Sequence, residues 1–164
     1  MDARIDPALL FGLKPGEAHI LRNAGARATP DVLRSLAVSQ ALLGTTEVLV
    51  LGHTRCGLLG RTENEVAHVV EQATGHRPTV PMGCFPDLDA AVQESVEAIR
   101  SCEFLGHRES VRGYVLNIEE GFVRELGEPP AAQRSVRMSP SSILGLGTLR
   151  ADVLNFDRNF KRRP

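Results

Sequence analysis

Four residues of this 164-residue chain have types and spacings that could do chemistry together. His53-Thr54-Arg55-Cys56 sets an imidazole and a thiol three residues apart. Thiolate sulfur and imidazole nitrogen are donors that Zn2+ prefers. At a strand-to-helix turn, that separation lets both aim at one point. Open α/β sheets bind ligands beyond the carboxyl ends of their strands, which is where this pair falls. Taken alone, the spacing equally suits a hydrogen-bonded loop histidine beside a small buried cysteine. Asp2-Ala3-Arg4 is the second feature. A carboxylate and a guanidinium so placed can form a bidentate pair that keeps the acid ionised and fixed. Taken alone, it equally suits an ordinary surface ion pair.

The elements that must position these groups are marked by caps and periodicity. Asp6 with Pro7 predicts a brief helix towards Phe11, broken by Lys14-Pro15-Gly16. Ala18-His19-Ile20-Leu21 predicts a short strand, and Arg22-Asn23-Ala24-Gly25 a loop. Thr29, Pro30 and Asp31 open a helix whose Val32, Leu33, Leu36, Ala37, Gln40 and Leu43 share a mostly apolar face, with Gly44 at its end. Glu47 to Gly52 is short, continuous and β-branched, as in a strand of a parallel sheet buried on both faces.

Thr62-Glu63-Asn64-Glu65 is a capping box for a helix carrying Val66, Val69, Val70 and Ala73 and stopping at Gly75. Residues 76–86 predict a loop. Asp87 caps a helix with Leu88, Ala91, Val92, Val96 and Ile99 inward. Arg112–Asn117 predicts a strand, 119–121 a turn, and Phe122–Leu126 its hairpin partner. This order predicts an α/β fold: a mostly parallel sheet flanked by helices, with an antiparallel edge hairpin.

Composition narrows the class. The net charge of −1 gives no global reason to expect nucleic acid or a membrane surface as a partner. No apolar run is long enough to span a bilayer, and the start does not read as a secretory signal. Three cysteines, Cys56, Cys84 and Cys102, make no disulfide framework and suit a reducing compartment, so a cytoplasmic location is expected. After Pro129-Pro130 the character changes. Residues 131–164 hold seven Lys/Arg against two acids, a net +5 beside a body of −6. The expectation is a domain over 1–130 and a basic extension over 131–164, which reads either as an interaction tail or as a solvated extension.

Taken together, Met1-Asp2-Ala3-Arg4, Arg22-Asn23-Ala24-Gly25, Ser35-Leu36, Gly44 and His53-Thr54-Arg55-Cys56-Gly57 resemble the β-class carbonic anhydrases. Pro86-Asp87-Leu88-Asp89 and Val111-Arg112-Gly113-Tyr114 resemble that family's later segments, so the resemblance runs from Met1 to Leu126. It implies a zinc enzyme with His53 and Cys56 as metal ligands and Asp2 and Arg4 as a catalytic dyad. A zinc with one open position lowers the pKa of bound water, and the hydroxide attacks CO2 to give bicarbonate. The aspartate orients that hydroxide and the arginine holds the aspartate. The resemblance also implies a homodimer or a multiple of dimers. Cys84, Cys102, His19, His68, His76 and His107 match no family ligand.

The family's first ligand, a cysteine, falls immediately before the position of Met1, at the end of a central strand between Ala18–Leu21 and Glu47–Leu51. The chain from Met1 is therefore expected to lack that strand and that ligand, with Asp2 as the stand-in zinc donor and activity impaired. The same architecture hosts carbonyl sulfide and carbon disulfide hydrolases, whose substrates are linear and isoelectronic with CO2. A metal-free binding or structural homologue is the reading from another class.

Overall fold

Helices in this protein begin where a side chain can take the first free amides. The computed structural model describes residues 1–127 and 136–137. Asp6 accepts from the amides of Ala8 and Leu9 to start α1 (Pro7–Phe11). Thr29 accepts from Val32 to start α2 (Pro30–Leu43). Strand β1 (Val48–His53) follows. Thr62 and Glu65 satisfy each other's amides at the head of α3 (Glu63–Thr74), the expected capping box. Asp87 accepts from Ala90 to start α4 (Leu88–Arg100). The chain then forms β2 (Val111–Asn117), β3 (Phe122–Glu125) and β4 (Val136–Arg137).

The sheet runs β1-β2-β3-β4. β1 and β2 are parallel, with His53 opposite Leu116, whereas β2–β3 and β3–β4 are antiparallel. This is the expected α/β class with helices on a sheet and an antiparallel edge hairpin, but one of the three described pairings is parallel, so the sheet is mixed where a mostly parallel one was expected. Burial alternates along β1, with Val48, Val50 and Gly52 buried and Leu49, Leu51 and His53 half-buried, so one face is covered more fully than the other where two buried faces were expected. Val48 and Val50 join Val92, Val96, Ile99, Val111 and Val115 on the α4 side. Leu49 and Leu51 pack against Leu10, Tyr114, Leu116 and Val123 on the α1 side.

Two glycines let α4 lie close on the sheet. A Cβ on Gly52 would stand 2.5 Å from Val92 Cγ2 and 3.0 Å from Leu88 Cδ1. A Cβ on Gly113 would stand 2.9 Å from Val92 Cγ1. Val92 is 1% exposed, so it has nowhere to retreat. Gly52→Ala is expected to cost about 1–3 kcal/mol by overpacking, read as a lower urea midpoint. An unchanged midpoint would mean that α4 shifts freely.

Three expectations need correction or limits. Ala18–Leu21 is not a strand: a strand needs a neighbouring ladder, and none of the described strands pairs with it. Ile20 and Leu21 are 44% and 49% exposed there. Helix α3 buries none of its residues, and Val69 on its apolar face is 62% exposed. Of the basic extension over 131–164, all but Val136–Arg137 lies outside the described residues, and that dipeptide extends the sheet edge as β4. Among the described residues, no helix is long and apolar enough to cross a membrane.

Candidate active site

The site assembles at the carboxyl end of β1. His53 is the last residue of that strand, and the hydrogen bond from Thr54 N to Leu116 O (2.9 Å) carries the parallel pairing one step further. Thr54 Oγ1 then accepts from Ile118 N at 3.0 Å, tying the loop to the end of β2. Arg55 takes a left-handed conformation, with φ of 54°, which is uncommon for a residue with a side chain. Its guanidinium pairs with Glu119 in the β2–β3 turn at 2.6 Å. That turn is built by Asn117 Oδ1, which accepts from the amides of Glu119 and Glu120. The sharp reversal at Arg55 carries the chain on to Cys56, a half-buried free thiol.

The tautomer of the neutral His53 ring follows from its partner. Nδ1 lies 2.9 Å from the backbone oxygen of Thr54. A carbonyl can only accept, so in the neutral ring Nδ1 is the nitrogen that carries the proton and Nε2 the one with the lone pair. That lone pair is the one a metal would use, and the carbonyl partner is the usual means of orienting a ligating imidazole.

Nε2 faces Asp2, whose Oδ2 is 3.9 Å away. Asp2 and Arg4 form the expected bidentate pair, Nε to Oδ1 at 2.9 Å and Nη2 to Oδ2 at 2.6 Å. Asp2 Oδ1 also accepts the Arg4 backbone amide at 2.9 Å. Arg4 Nη2 reaches Arg55 O at 3.3 Å, so the dyad touches the His53–Cys56 loop directly. The structure thus brings Asp2, Arg4 and His53 together, with Cys56 on the same loop. Cys84 and Cys102 are free thiols on other elements, Cys102 buried in the α4 core.

The side-chain hydrogen bonds of Arg4 hold the Asp2 carboxyl far below the usual carboxylate range. A depressed folded-state pKa stabilises above the unfolded value of about 4, and this is lost as the pH falls through the folded value. Arg4→Gln removes the cation, so the Asp2 titration is expected to climb towards the ordinary range in carbon-13 NMR. A titration that does not move would mean that Arg4 is not what holds the acid.

By donor chemistry, His53 and Cys56 fit zinc. No group of three or more His, Cys, Asp and Glu side chains converges on one point among the described residues. The carboxylate that faces His53, Asp2, is held by Arg4. Sequence reasoning missed the supporting groups Thr54, Asn117 and Glu119. It read Arg22 only as part of a loop motif, although Arg22 donates to two backbone carbonyls beside the dyad.

Fold and site place the chain among α/β proteins whose reacting groups gather at the carboxyl end of a parallel strand. The carbonic anhydrase family model matches residues 1–123. The chain is 42% identical over 126 residues to beta-carbonic anhydrase 1 of Mycobacterium tuberculosis, covering 77% of each protein. A solved carbonic anhydrase of Streptococcus mutans superposes with a TM-score of 0.73 at 34% identity, covering 77% of each chain. A carbon disulfide hydrolase of Saccharolobus solfataricus is 42% identical over 67 residues, covering 41% of this chain and 33% of that protein. The chain belongs to the β-carbonic anhydrase family, a family of zinc enzymes.

Proposed function

We propose that this protein catalyses the reversible hydration of CO2 to bicarbonate at a zinc held by His53 and Cys56, with Asp2 and Arg4 as its catalytic dyad. One observation carries the reading in a chain of this family: an arginine-held carboxylate faces the free nitrogen of His53, 3.9 Å away. When bound, zinc supplies a water made nucleophilic at neutral pH. The chain's own residues do the rest. The Asp2 carboxylate, kept ionised by Arg4, accepts a hydrogen bond from the attacking water and so aims its remaining lone pair. Arg4 bonds both carboxylate oxygens and fixes that direction. His53, with Nδ1 committed to Thr54 O, presents only Nε2 to the metal.

Asp2 has two tasks open to it that exclude each other. As a third zinc donor it cannot also orient the nucleophile, so full activity requires it to stay with Arg4. We take the working protein to be cytoplasmic, on its cysteine usage, and a homodimer or a multiple of dimers, as the family resemblance implies.

A second reading changes only the substrate. The match to a carbon disulfide hydrolase through 67 residues supports carbonyl sulfide or carbon disulfide in place of CO2. One preparation separates the readings. Zinc per chain is measured first, then CO2 hydration by stopped flow alongside sulfide release from carbonyl sulfide and carbon disulfide. About one zinc per chain and CO2 turnover are expected. Sulfide release without CO2 turnover would move the substrate. A folded chain that holds no zinc and turns over neither would make it a non-catalytic homologue.

A further inference from the structure

Arg22 is the residue of the site region that the proposed chemistry does not use. Its guanidinium donates from Nη1 to Ile5 O at 2.8 Å and from Nη2 to Asp2 O at 2.6 Å. These two carbonyls bracket the tight turn that carries the dyad, closed by Ile5 N to Asp2 O at 3.2 Å. Among the described residues, no carboxylate lies within ion-pair distance of Arg22. Its fork is spent on geometry, spanning two backbone oxygens that a single ammonium cannot hold in the same plane.

The strut itself is anchored. Asn23 Nδ2 donates to Arg27 O at 2.7 Å, and Asn23 Oδ1 accepts from Arg27 N at 3.2 Å. Arg27 in turn donates to Ala91 O at 3.1 Å and to Glu94 at 2.7 Å, both on α4. Ala28 N donates to Ser95 Oγ at 3.3 Å. Residues 22–28 are thereby fixed to the helix that packs on the sheet carrying His53. The dyad turn is held to this anchored segment by Arg22 and to the His53–Cys56 loop by Arg4 Nη2 on Arg55 O.

We infer that Arg22 is a positioning residue: it clamps the Asp2–Ile5 turn to the loop anchored on α4, and so sets the Asp2 carboxylate against His53. For its effect on rate, this inference rests on the carbonic anhydrase reading. For its effect on the turn, it does not. Removing the clamp leaves Asp2 and Arg4 paired with each other, with the 3.3 Å bond from Arg4 Nη2 to Arg55 O as their remaining tie to the His53–Cys56 loop. The carboxylate then spends less time aimed at the nucleophile.

The test uses the full chain with Arg22→Ala and Arg22→Lys, each loaded with zinc. Arg22→Ala is expected to lower kcat for CO2 hydration about 10- to 100-fold, as small misplacements of reacting groups do, with KM and zinc content kept. Added guanidinium at low millimolar concentration is expected to restore part of that rate, and Arg22→Lys to fall between. Independently of activity, hydrogen exchange at the Arg4 and Ile5 amides is expected to quicken in Arg22→Ala, while the α4 amides keep their rates. A raised KM at unchanged kcat would overturn the inference, because Arg22 would then be acting on substrate directly. Unchanged exchange at Arg4 and Ile5 would overturn it too. If the parent chain itself fails to hydrate CO2, the functional reading falls, and the exchange measurement still decides the clamp.

Discussion

Cys56→Ser is expected to strip the chain of zinc and abolish hydration. A serine hydroxyl remains protonated at neutral pH and is a poor zinc donor, whereas the thiolate it replaces is among the best. With the two proposed ligands on the His53–Cys56 loop, losing one leaves His53 to hold the metal with whatever Asp2 can lend. Zinc content should fall from about one per chain to near zero, and the rate by at least about a thousandfold, beyond the ten- to hundredfold usual for outer-shell changes. The fold should survive. The backbone oxygen of Cys56 accepts from Leu59 N at 3.1 Å, and the substitution leaves that bond untouched. Metal analysis, stopped-flow hydration and a urea titration on one preparation check all three statements. Retention of a full zinc complement by the serine variant would remove Cys56 from the metal site.

Asp2→Asn is expected to spare the metal and still cost about 10²–10⁴ in kcat, the range for losing a positioned proton acceptor. The substitution is nearly isosteric, so the turn can keep its backbone bonds. One oxygen becomes an NH2, and the 2.6 Å bond from Arg4 Nη2 to Oδ2 is replaced by two donors facing each other. The amide also carries no charge to draw a hydrogen bond from the attacking water. Zinc content discriminates between the two tasks open to Asp2. Kept zinc with a lost rate assigns it to orienting the nucleophile. Lost zinc assigns it to the metal as third donor. A variant as fast as its parent would show that Asp2 does neither.

Much of this protein is legible in its amino-acid sequence. The helix starts at Asp6, Thr29, Thr62 and Asp87 are readable because a cap is a local hydrogen bond between residues two or three apart. Strand β1 is readable as a continuous apolar run, although the structure buries one of its faces fully and the other by half. The bidentate Asp2–Arg4 pair is foreseeable for the same reason as the caps, since its partners sit two residues apart. The placement of His53 just before a turn comes from the end of the β1 run.

Other features are decided by contacts between distant parts of the chain. Ala18–Leu21 has strand-like composition but no ladder beside it among the described residues, and extended backbone becomes a strand only when a neighbour takes its hydrogen bonds. The apolar face of α3 has helical spacing yet stays largely exposed, because periodicity names a face without naming what covers it. The lone pair of His53 is settled by one carbonyl at 2.9 Å, and the left-handed turn at Arg55 is held by Glu119, 64 residues away. Arg22 reaches back 17 and 20 residues to grip the dyad turn, a relation no spacing rule encodes. The sequence by itself determined the family, the reacting side-chain types and the elements that bear them, since these follow from local chemistry. Only the tertiary structure decided which way Asp2 and His53 face and what holds them there, because a site's geometry is the sum of long-range hydrogen bonds and packing.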